Sequence, residues 1–119
     1  MVELYSQEEL NVLERHIETH FGKYDGVFHE IASPDIHVDI CIISPTSERD
    51  CYTLVTMGMG AHLMNVPDSL REHKLERAEL CISLPADWKI EDQDEKWYWP
   101  LRWLKVLARL PIEEDSWLG

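Results

Sequence analysis

The residue types able to do chemistry in this 119-residue chain gather in one short stretch: His29, Glu30, Asp35, His37 and Asp39. On an extended chain Asp35, His37 and Asp39 alternate onto one side. Two carboxylates flanking an imidazole can hold a divalent cation or exchange protons with a substrate. With His29 added, the candidate metal or acid–base set is His29, Asp35, His37 and Asp39. The same residues also describe the solvent face of a half-buried sheet, and metal centres usually draw on more than one strand plus outer partners. His29 alternates with Val27 and Ile31, which reads as a satisfied, partly buried histidine. Elsewhere the catalytic signals are missing. Thr56-Met57-Gly58-Met59-Gly60 matches neither GxxxxGK[ST] nor GxGxxG, so its glycines point to a bulge or a close backbone approach rather than to a phosphate. There is no GxSxG elbow, and neither serine nor cysteine sits in a nucleophile context. No catalytic residue is assigned, no cofactor is expected, and the chain is read as a non-enzyme.

The elements that must position these residues follow from periodicity. Ser6 to Glu9 is a capping box; Leu10, Leu13, Ile17 and Phe21 then recur at helical spacing up to Gly22. Short strands are predicted over Val27–Ala32, Ile36–Ile43, Tyr52–Met57 and Glu76–Leu84, with Ala61–Val66 as a strand or irregular segment and Asp68–His73 as a helical turn. Ser33-Pro34-Asp35 marks a turn. In the clearest strand Ile36, Val38, Ile40 and Ile42 point one way, and His37, Asp39, Cys41 and Ile43 the other. A second helix is predicted over Trp97–Leu110, with Pro111 ending it. Leu101, Leu104, Val106, Leu107, Ala108 and Leu110 form a wide apolar stripe that packs on a sheet. Short connections imply an α+β fold: a mixed, largely antiparallel sheet of four to five strands, with an N-terminal and a C-terminal helix packed on it. The whole of 1–119 is read as a single domain.

Composition bounds the partner. Eleven Lys and Arg against 23 Asp and Glu give a formal charge of −12. Such a polyanion repels nucleic acid and anionic membrane, so neither is expected, and a cationic protein is favoured. No apolar run approaches a membrane span, and MVELYSQEEL carries neither a basic flank nor an apolar core, so the cytoplasm is the expected compartment. Cys41, Cys51 and Cys81 form no CxxC; they read as buried free thiols in a reducing compartment rather than as a disulfide or zinc site. Met57, Met59 and Met64 fit core filling or an adaptable surface. Trp99 and Trp103 are expected in or near the core, and Trp97 and Trp117 to be the exposed pair. The acidic run Glu91-Asp92-Gln93-Asp94-Glu95 reads as a solvated loop or helix start. Together with Glu113, Glu114 and Asp115, its carboxylates Glu91, Asp92, Asp94 and Glu95 are the candidate partner-binding surface, with Trp97 as an aromatic anchor beside it.

Four segments in order, YDGVFHEIASPDIHVDICIISPT (Tyr24 to Thr46), YTLVTMGMGAHLMNVP (Tyr52 to Pro67), RAELCISLPADWKI (Arg77 to Ile90) and WYWPLRWLKVLARLP (Trp97 to Pro111), resemble the Suppressor of fused (SUFU) domain family. The final SWLG resembles the start of the family's next segment, so by this resemblance the domain is C-terminally short. The resemblance implies a mixed α/β binding domain without known catalytic activity. In animals the family's namesake restrains transcription factors of Hedgehog signalling by sequestering them; bacterial SUFU-domain proteins are regarded as immunity proteins that bind and neutralise a cognate toxin. A basic toxin domain is therefore the implied partner, and the acidic charge fits one. If a C-terminal strand is missing, an open sheet edge is left, through which a homo-oligomer is a further expectation.

Overall fold

The computed structural model describes residues 3–30 and 35–118. Helix α1 (Gln7–Phe21) starts as its sequence dictates: the Ser6 hydroxyl accepts the Glu9 N–H at 3.1 Å, and the Glu9 carboxylate accepts the Ser6 N–H at 2.9 Å. Both are donors that a helix start would otherwise leave unpaired. At the far end the Gly22 N–H returns to the Glu18 carbonyl at 3.1 Å.

Four strands follow among the described residues: β1 (Gly26–Phe28), β2 (Asp39–Ile43), β3 (Cys51–Met57) and β4 (Cys81–Pro85). They pair in sequence order β1-β2-β3-β4, each pair antiparallel. The fold is the α+β class that the short connections imply. Register sets Asp39 opposite Met57, Ile43 opposite Thr53, and Val55 opposite Cys81. Helix α2 (Glu95–Glu113) follows β4.

The sheet carries a helix on each face, which explains why β2 and β3 bury residues of both parities. Ile40 and Leu54 pack with Leu84, Leu101 and Leu104 on the α2 side. Ile43 and Val55 pack with Ile17 of α1 on the other. A third cluster, Ile36, Val38, Met59, Met64 and Ala108, closes the end where Asp35 leads into β2. Met59 and Met64 thus fill core.

Several predicted strands are shorter than their apolar patterns. The Ile36–Ile43 run forms a ladder only from Asp39. Ile36 bridges in parallel to Glu3 instead. The Glu76–Leu84 run begins its strand only at Cys81, because Glu79 and Leu80 turn inward to bond the end of β3. Gly58 breaks β3 as predicted. The Ala61–Val66 stretch forms no strand: a 3-10 turn at Met59–Ala61 leads into irregular chain, and a second spans Asp68–His73. His29 and Glu30 lie beyond β1, and the predicted strand end at Ala32 and the Ser33-Pro34 half of the turn fall outside the described residues.

Of the cysteines, only Cys41 is buried; Cys51 is half-buried and Cys81 exposed. β4 lies at the sheet edge, and the side bearing Cys81 and Ser83 is exposed. The tryptophan assignment is reversed. Trp99 and Trp103 are 40% and 53% exposed, whereas Trp97 and Trp117 are half-buried. Leu101, Leu104 and Ala108 take the core stripe, which turns Trp99, Trp103, Val106 and Leu107 outward. Pro111 does not stop the helix. It sits in the last turn, and the Glu114 N–H still reaches the Leu110 carbonyl at 2.9 Å.

Candidate functional site

The chemistry-bearing stretch divides into two arrangements. Asp39, first residue of β2, accepts from both histidines: His37 Nε2 lies 2.8 Å from one carboxylate oxygen, and His29 Nδ1 3.2 Å from the other. The Glu30 N–H also bonds Asp39, at 2.9 Å. Asp35 turns away to α2, where Arg109 Nε donates to it at 3.0 Å. Arg109 Nη2 also bonds Glu30 and the Ile36 carbonyl. Glu30 in turn takes the Val38 N–H at 3.1 Å, and Asp35 the Ile36 N–H at 2.7 Å. Arg109 and Glu30 are almost fully withdrawn from water, with 12% and 8% of their side chains exposed. This ion-pair network ties α2 to the segments flanking residues 31–34. The four candidate ligands therefore do not converge. Among the described residues, no group of three or more His, Cys, Asp or Glu side chains is placed to hold a metal.

A second polar centre escaped the sequence reading. The Glu79 carboxylate is held beneath the loop that ends β3. One oxygen accepts from the Thr56 hydroxyl at 2.8 Å and the Met59 N–H at 3.2 Å; the other accepts from Gly58 N–H at 3.2 Å, Gly60 N–H at 2.8 Å and the Tyr5 hydroxyl. Burial raises the Glu79 carboxyl above its ordinary range, although the bonds from Tyr5, Gly60, Thr56 and Gly58 pull the other way. Burial and the neighbouring Glu79 charge also hold the Tyr5 phenol well above its usual range. The glycines are what this packing requires. Gly58 has φ +138°, and a Cβ there would lie 1.8 Å from the His37 carbonyl oxygen; a Cβ on Gly60 would lie 1.9 Å from the Tyr5 hydroxyl. The close backbone approach read from the two glycines is present, but Glu79 gave no warning. Its partners stand up to 74 residues away, and the single available signal was a carboxylate interrupting an apolar run.

The candidate partner-binding residues fall at the two ends of α2. Asp94 is the N-cap, accepting the Lys96 N–H at 3.0 Å; Asp92 accepts the Asp94 N–H at 2.9 Å; Glu95 forms a two-point pair with Arg102. Glu91 and Asp92 line a cavity of about 450 Å³ with Phe28, His29 and Tyr98. Trp97 is half-buried, stacked edge-on against Trp88 at 5.0 Å, with Lys89 and Lys96 over its ring. Glu113, Glu114 and Asp115 lie at the other end of the 19-residue helix, about 28 Å away at 1.5 Å per residue. The acidic residues are thus two groups, and exposed Trp99, Trp103, Val106 and Leu107 stand between them.

No helix among the described residues is long and apolar enough to cross a membrane. In comparisons with known proteins, no solved structure matches the chain. The chain is similar to "Uncharacterized protein UU111" of Ureaplasma parvum serovar 3, 28% identical over 96 residues; the match covers 78% of this chain and 45% of that protein. The chain thus matches less than half the length of this relative. The family model of the Suppressor of fused protein (SUFU) matches residues 34–119, which contain β2 to α2, Glu79 with the Gly58–Gly60 loop, and both acidic groups. That family supports a module of the protein-interaction type. With most of its length matched, the chain belongs to the Suppressor of fused (SUFU) family.

Proposed function

We propose that this chain is a non-catalytic binding module that neutralises a cationic protein partner, in the manner of bacterial SUFU-domain immunity proteins acting on a cognate toxin. The observation that carries this reading is the charge of −12 on a chain of a protein-interaction family. A polyanion of this size steers basic proteins toward itself and stands in for the nucleic-acid substrate of a basic nuclease. The separation of Asp35 from the Asp39 pair weighs against the alternative, a metal-dependent or acid–base enzyme on His29, Asp35, His37 and Asp39.

The test is capture from the lysate of the encoding organism by the tagged chain, at low and moderate salt, with captured proteins identified by mass. One stoichiometric basic partner, released as salt rises, is the expected result. Capture of nothing, or of the chain alone, overturns the reading.

A further inference from the structure

Helix α2 is apolar on two faces. Leu101, Leu104 and Ala108 are buried against the sheet, and a second stripe, Trp99, Trp103, Val106 and Leu107, is 40%, 53%, 47% and 38% exposed. A helix with one packed face is ordinarily polar on the other. The second stripe contains two tryptophans, the residue most enriched where interfaces concentrate their binding energy. Its ends are charged: Glu91 and Asp92 precede the helix, and Glu113 and Glu114 stand at its last turn. The helix carries four cations: Arg102 is closed on Glu95 and Arg109 on Glu30 and Asp35, while Lys96 lies over the Trp97 ring and Lys105 reaches the Tyr98 hydroxyl.

We infer that the outward face of α2 is the docking surface, and that its occupant is a basic protein surface with an apolar centre. The apolar centre covers Trp103 and Val106, and flanking Lys or Arg side chains reach the acidic groups at both helix ends. This rests on the reading of the chain as a module for a cationic partner, and adds where that partner sits. The helix length of about 28 Å suits such a contact, because a standard interface of roughly 800 Å² per partner is about 30 Å across. An apolar core inside a charged rim is also the usual anatomy of a protein contact. A second copy of this chain suits the surface poorly, since antiparallel pairing of two α2 helices would bring the acidic ends together.

The test uses the full chain and two synthetic amphipathic helical peptides, one of leucine and lysine and one of leucine and glutamate. The leucine–lysine peptide is expected to bind and the leucine–glutamate peptide not. Trp103→Ser with Val106→Ser should weaken binding about tenfold or more, the scale of a hot-spot truncation, without changing its salt dependence. Glu113→Lys with Glu114→Lys should weaken binding and flatten the salt dependence. Val12→Ser, at an exposed apolar residue of α1, should do neither, and unchanged melting would show that all the variants fold. Binding that ignores the α2 variants, or is equal for both peptides, overturns the inference. So does a dimer broken by Trp103→Ser, which would give the stripe to a second copy. If the α2 variant captures the same lysate partner as the unaltered chain, this surface falls while the neutralising role stands. If no partner is captured but the peptide results hold, the surface stands and the role falls.

Discussion

At the scale of single residues, the Gly58–Gly60 loop and Glu79 are the positions least able to change. Gly58→Ala forces a Cβ against the His37 carbonyl at a backbone angle closed to alanine. Such a strained site costs about 1–3 kcal/mol before the clash is counted, so a large fall in Tm is expected. Gly60→Ala strikes the movable Tyr5 hydroxyl instead, and Tyr5→Phe should recover part of the loss; strictly additive losses in the double variant would contradict the geometry. Glu79 gives a pH signature. Its folded carboxyl binds a proton more tightly than the unfolded one, because burial raises it. That contribution is full below the ordinary carboxylate range and is lost as pH rises through the folded value. Unfolding followed against pH should show this decline in the unaltered chain and a flatter profile in Glu79→Gln; parallel profiles would refute it. The thiols separate equally clearly. Burial pushes Cys41 up to about 12, so a maleimide should modify exposed Cys81 in the native protein and reach Cys41 only on unfolding.

At the scale of elements, legibility tracked how local the determining contacts are. Helix α1 was readable to its ends because Ser6, Glu9 and Gly22 act within one turn of it. The alternation in β2 was readable too, since period two survives burial on both faces. The phase of α2 was not, because two apolar stripes compete and only the sheet decides which is buried. Trp99 and Trp103, the bulkier candidates, lost to Leu101 and Leu104. The cluster around His29 was found as a set of residues but not as a geometry. What separates Asp35 from His37 and Asp39 is Arg109, 74 residues from Asp35, and no local pattern announces that pairing. Arg109→Met would leave the Glu30 carboxylate buried without its cation. Loss of one partner from a buried pair costs about 3–5 kcal/mol, and that drop should appear in chemical unfolding. A loss below about 1 kcal/mol, the value of a surface pair, would mean the network is solvated.

At the scale of the whole molecule, charge and shape speak to association. The sheet is covered by a helix on each face, and the exposed apolar surface of α2 lies between two acidic groups. Reversing Glu91 and Asp92 to lysine should slow association with a cationic partner at low salt more than it speeds dissociation, since steering acts on encounter. An on-rate unchanged at low salt would remove the acidic run from the binding surface. Composition carries the sign proposed for the partner, whereas the proposed surface needs the fold, because residues 91–95 and 113–115 become the two rims of one helix only once α2 forms. Neutralisation is tested most directly by growth. The captured basic partner is expressed in a sensitive host, alone and with this chain. The partner alone should arrest growth and the chain should restore it, while the Trp103→Ser and Val106→Ser variant should not. Continued arrest, with the chain folded and bound to the partner, would contradict it.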